Sequence, residues 1–141
     1  MNAAGRWQGK SMTQFESCEQ MPTLPPEYFQ TYQQLQQQVT EVSQAIAENK
    51  NSASLKATVA DLQTFFQTHV WILDLDELDP AVAHQVQSFN VEIDKQLRLL
   101  SMDVMFLHAA KQATTTEQRL NHMRDRLTLL LRYCHGLLEN R

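Results

Sequence analysis

Glycine and cysteine are scarce in this chain. Three glycines in 141 residues leave no Gly-rich loop to cradle a phosphate, and too few tight turns for an antiparallel sheet. The two cysteines are Cys18, in a polar leading segment, and Cys134, in a helical pattern. They do not read as a disulfide framework, so a reducing, cytoplasmic compartment is expected. Long apolar runs are missing too. The stretch from Leu127 to Leu131 is interrupted by Thr128 and is far too short to span a bilayer. No excess of positive charge exists: 12 Lys and Arg stand against 16 Asp and Glu, a formal net charge of -4. That balance gives no electrostatic footprint for nucleic acid.

What is present points to a globular helical protein. Apolar residues make up 43% and charged residues 20%, enough to bury a core and too apolar for a disordered chain. Residues 1–23 are polar, lack the apolar stretch of a secretory signal, and carry Gly5 and Gly9 with no period. They are expected to form a disordered tail, and the sequence leaves Met1 and Met21 open as the start codon. Residues 24–141 are expected to form one domain.

Four segments carry a helical period. The first opens with LPPEYF, where Pro25 and Pro26 suit a first turn and Glu27 favours the positive end of the helix dipole. Tyr28, Tyr32, Leu35, Val39, Val42 and Ile46 then form one apolar stripe. NKNSAS, residues 49–54, supplies turn and cap residues. The second stripe is Leu55, Val59, Leu62, Phe66 and Val70, fading at residues 71–73. After the acidic DLDELDP, Asp79 and Pro80 read as N-cap and first helical residue. The third helix should then run to about Lys111, roughly 45–50 Å at 1.5 Å per residue. Its stripe is Val82, Val86, Phe89, Ile93, Leu97, Leu100, Val104 and Leu107. Leu99, Met102, Met105 and Phe106 lie on its other faces, so this half is expected to be covered nearly all round, in part by a second subunit. Thr114 and Glu117 stand at capping-box spacing before a fourth stripe through Leu120, Met123, Leu127, Leu130, Cys134 and Leu137. The expected fold is all-α, an antiparallel four-helix bundle with a long third helix, paired as a homodimer about a two-fold axis.

Chemistry-bearing patterns are thin. Asp74, Asp76, Glu77 and Asp79 alternate like a calcium loop, yet Leu75 and Leu78 fill spacer positions, and neither the turn glycine nor the closing glutamate is present. The five histidines form no Glu-x-x-His pair. Cys134 and His135 leave a helix about 100° apart, so they do not form a nucleophile–base pair. No catalytic, cofactor or metal site is expected, and the chain does not read as an enzyme. Asp103, among Leu99, Leu100, Phe106 and Leu107, needs a cation if buried, with Arg124, Arg126 and Arg132 as candidates. Lys95 and Arg98, one turn apart, together with the carboxylates of Asp74, Asp76 and Glu77, are the candidate partner-binding residues.

The segment KQLRLLSMDVMFLHAAKQATTTEQRL, continued by MRDRLTLLLRYC, resembles the cyanobacterial PatD proteins, which control heterocyst frequency. The likeness is densest from Glu92 to Cys134 and weaker from Tyr28 to Phe66, where FFQ (residues 65–67) belongs to it. DLDELDPAVAHQVQ departs from the family pattern. The resemblance implies a small, non-enzymatic regulator that binds the tubulin-like division protein FtsZ and modulates its assembly, with effects on cell division and heterocyst frequency. The motif consists of packing residues and transfers no binding residue. The alternative is a sensor bundle holding an apolar small molecule between helices near Met102, Met105 and Phe106.

Overall fold

A computed structural model describes residues 24–139. The expected tail over residues 1–23, Met21 and Cys18 lie outside them. The described residues are all-helical: α1 Pro26–Ala47, α2 Ser52–Phe65, α3 Pro80–Ala109 and α4 Ala113–Glu139, with a π-helical turn, Phe66–Val70, continuing α2. Each helix packs against the next along the chain, and α4 closes against α1.

Local chemistry sets the boundaries. Pro26 starts α1 and Glu27 sits in its first turn. Its last turn closes with two bonds, Asn49 N–H to the Ile46 carbonyl at 3.1 Å and Lys50 N–H to the Ala45 carbonyl at 3.0 Å. This closure requires a left-handed residue, and Asn49 supplies it with φ of 57°. Asn51 then caps α2, its side chain accepting from the Ser54 N–H at 2.8 Å. Asp79 caps α3 through the Ala81 N–H at 2.9 Å, with Pro80 at the first helical position. The fourth helix departs from the expected capping box. It begins at Ala113, the Gln112 carbonyl accepts from the Thr116 N–H at 3.0 Å, and Thr114 lies inside the first turn.

The buried residues are largely the predicted stripes: Tyr32, Leu35, Val39 and Val42 from α1, Leu55, Val59 and Leu62 from α2, and Ile93, Leu97 and Leu100 from α3. Met123, Leu130 and Cys134 come from α4. Fully burying one such aliphatic side chain stabilises the fold by about 1.5–3 kcal/mol relative to leaving it exposed. Gly136 lies inside α4 for a steric reason. A Cβ there would sit 3.2 Å from the Phe89 ring, whose centroid lies 6.0 Å from that of Tyr133 in an edge-to-face pair.

Polar pairs cross the helices at intervals. Tyr32 Oη donates to Asn90 Oδ1 at 2.6 Å inside the core. Ser101 Oγ donates to Gln63 Oε1 at 2.7 Å, Gln67 Nε2 to Asp94 Oδ1 at 3.2 Å, and Ser52 meets His108 Nδ1 at 3.0 Å. Three of the tethered residues, Tyr32, Asn90 and Asp94, are themselves buried, so their partners offset part of the cost of desolvation.

Candidate functional site

Asp103 occupies the face of α3 that meets α4 and is only 3% exposed. Its two oxygens take different cations: Arg119 Nη1 at 3.3 Å from Oδ1 and Arg126 Nε at 3.3 Å from Oδ2. Arg119 also lies over the Phe106 ring, 4.5 Å from its centroid, a cation–π contact that ties the ion pair to the outer surface. Arg126 was among the cations expected for Asp103, whereas Arg124 and Arg132 are not partners. Arg124 turns to Glu117 at 3.3 Å and Asn121 at 2.7 Å, and Arg132 is exposed. Arg119 was missed. Its signal is the seven-residue spacing to Arg126, two helical turns, which puts both guanidiniums on one face of α4.

The side of α3 turned away from the other helices carries Val91, Lys95, Arg98, Met102 and Met105, all exposed. Their steps of four and three residues form one ridge. Arg98 reaches back to the buried carboxylate of Asp94, which also accepts from Gln67. Lys95 makes no ion pair among the described residues. The expectation that this half of α3 is covered nearly all round does not hold within one chain, since Met102, Met105 and Phe106 are each half exposed or more. They project outward, so they line no cavity between helices as the sensor alternative required. Two shallow grooves run along α1, one between it and the α2 side and lined in part by Glu41, Asp61 and His69, the other lined by Gln and Thr.

Asp74, Asp76 and Glu77 stand together and exposed in the connection between the π turn and α3. The Asp74 carboxylate accepts from the Asp76 N–H at 2.9 Å, which shapes the loop. Tyr28 Oη donates to the Asp74 carbonyl and anchors the loop to α1. Burial, followed by the negative charges of Glu77, Asp74 and Glu27, pushes the Tyr28 phenol above its usual range. Leu78 is buried and Leu75 packs on the core, while Trp71 and Ile72 remain exposed. Trp71 and Ile72 were read only as a fading helix end, because their sequence position does not say which side the chain turns. No ion pair joins the acidic loop to Lys95 or Arg98 among the described residues.

Cys134 is buried, and loss of solvation pushes its thiol up to about 12. Tyr32 is raised as well, chiefly by burial. Both groups keep their protons in the folded chain at pH values where the unfolded chain releases them. Stability is therefore full below about pH 9 and falls as pH rises towards 12, with a limiting slope of about 1.4 kcal/mol per pH unit for each such proton. Urea unfolding compared at about pH 7.5 and about pH 10.5 should show this loss. A Cys134→Ala chain should lose less, and an equal loss would remove the thiol from the explanation.

Among the described residues no helix is long and apolar enough to cross a membrane, and no group of three or more His, Cys, Asp or Glu side chains is placed to hold a metal ion. The arrangement that remains is an exposed cationic and apolar ridge on α3 and an exposed acidic and apolar loop before it. No family profile, curated protein or solved structure matches the chain.

Proposed function

We propose that this chain is a non-enzymatic regulatory adaptor that binds a tubulin-like division protein of the FtsZ type, modulates its assembly, and thereby affects cell division and heterocyst frequency. The resemblance to PatD over Glu92–Cys134 supplies the partner. The observation that carries the reading is the α3 ridge, where Lys95 and Arg98 stand between the exposed apolar side chains of Val91 and Met102. A cationic centre flanked by apolar side chains suits a protein surface that offers carboxylates between apolar patches.

The helices are proposed to form an antiparallel bundle. In support, the tethers between α2 with its π turn and α3 run in opposite chain order: Ser52 to His108, Gln63 to Ser101, Gln67 to Asp94. Such a bundle holds the ridge on a rigid helix, which lowers the ordering cost of docking. The adaptor is proposed to act in the cytoplasm and to self-associate.

The test is co-pelleting with polymers of the division protein. Lys95→Glu combined with Arg98→Gln reverses one cation and neutralises the other, and the glutamine keeps an N–H donor near Asp94. Binding should weaken roughly five- to tenfold, about 1–1.4 kcal/mol, with helicity unchanged. Unchanged pelleting by a fully helical variant excludes the ridge as the docking surface.

A further inference from the structure

Among the described residues, six large apolar side chains are between 47% and 70% exposed. They fall into two patches of opposite charge. Trp71 and Ile72 open the connection that carries Asp74, Asp76 and Glu77. Val91, Met102, Met105 and Phe106 share the outer side of α3 with Lys95 and Arg98, and Arg119 lies over Phe106. Neither patch neutralises the other within one chain, because no ion pair joins them.

We propose that a second copy of this chain docks head to tail, its Trp71–Glu77 end seated on the α3 ridge of the first. The charge complementarity favours this over a two-fold pairing of ridges. A two-fold contact centred on the ridge sets Lys95 and Arg98 against the same cations of the other copy, which costs energy unless anions intervene. The head-to-tail contact instead matches carboxylates with cations and covers apolar side chains from both patches. It is heterologous, so one ridge and one acidic end stay open in every pair, and further copies add unless the rotation closes a ring. The contact extends the functional reading, since a neighbouring copy covers the ridge assigned to the division protein and competes with it. It is read from this chain alone, so it stands or falls separately.

Sedimentation velocity of the full chain, without any partner, tests it. The wild type should sediment faster as concentration rises, and the effect should shrink with added salt. One variant loses the acidic patch (Ile72→Ser, Asp76→Asn, Glu77→Gln), and a second loses the ridge (Lys95→Gln, Met102→Ser, Met105→Ser). All six positions are exposed, so both variants should fold, which circular dichroism checks. Each variant alone should associate at least about tenfold more weakly than the wild type. Mixed together they should form a one-to-one pair that grows no further, because each retains the patch the other lacks. A wild type that stays monomeric at every concentration overturns the proposal. So does an acidic-patch variant that pairs as well as the wild type, which is the signature of a two-fold ridge contact. A mixture that remains monomeric while the wild type associates has the same consequence. None of the three outcomes is read from co-pelleting, so a failure of this contact is told apart from a failure of the functional reading.

Discussion

Replacing Arg119 and Arg126 together by methionine is expected to destabilise the fold by about 3–5 kcal/mol, because Asp103 then stays buried with no cation beside it. The carboxylate is the costly member of the cluster. Its side chain is 4% exposed, whereas the two guanidiniums are 30% and 28% exposed and turn towards water when released. Asp103→Leu alone should therefore cost less, about 1–2 kcal/mol. The triple variant, with leucine between two methionines, should recover most of the loss, since an apolar replacement of a buried ion pair is often neutral. For a domain of this size the double variant corresponds to a melting temperature lower by roughly 10–20 °C. Urea unfolding followed by circular dichroism separates these cases. A double variant within about 1 kcal/mol of the wild type means that water reaches Asp103 and that the pair does not hold α3 to α4. The cluster also fixes Phe106 through Arg119, so it connects the core to the ridge proposed to dock partners.

The boundaries of α1 and α3 were legible in the sequence because single residues decide them. Pro25, Pro26, Asp79 and Pro80 each remove or satisfy a particular N–H. The stripes were legible because a period near 3.6 leaves little choice of buried face. Other features depend on facts outside local pattern. The π turn widens the backbone ring by one residue, as where Trp71 N–H closes on the Phe66 carbonyl at 2.8 Å. The apolar spacing through Phe66 and Val70 reads as unbroken α-helix all the same. Thr114 and Glu117 have the spacing of a capping box, but the chain enters α4 two residues earlier, with Gln112 rather than Thr114 before the first helical residue. Met102, Met105 and Phe106 prefer burial by composition, yet only the tertiary arrangement says which sides of α3 have neighbours. Lys95, Arg98 and the loop carboxylates could be picked as exposed charges. The apolar partners beside them, Trp71 and Ile72 above all, could not, because an apolar residue at a helix end has no signature for facing outward.

Phe66→Ala is expected to cost about 3–5 kcal/mol, and Phe65→Ala only about 1 kcal/mol or less. The two rings are adjacent in sequence and leave the helix in different directions. Phe66 is fully buried on the stripe with Leu62 and Val70, so its removal leaves a cavity that a rigid four-helix core collapses around only in part. Phe65 is partly buried and stacks on His69, with centroids 4.8 Å apart. That contact lies at the surface, where water replaces it at little cost. Phe66 also supports the acidic end directly, because its ring lies 5.8 Å from that of Trp71. In a Trp7→Phe background, Trp71 is the remaining tryptophan, and its emission should shift to longer wavelength in the Phe66→Ala chain as the indole loses its neighbour. The Phe65→Ala chain should keep the parent spectrum. Equal unfolding free energies for the two variants would mean that the turn into residues 66–70 does not hold Phe66 in the core. The indole would then have no fixed support beneath it, and the acidic patch would lack the rigidity that docking a second copy requires.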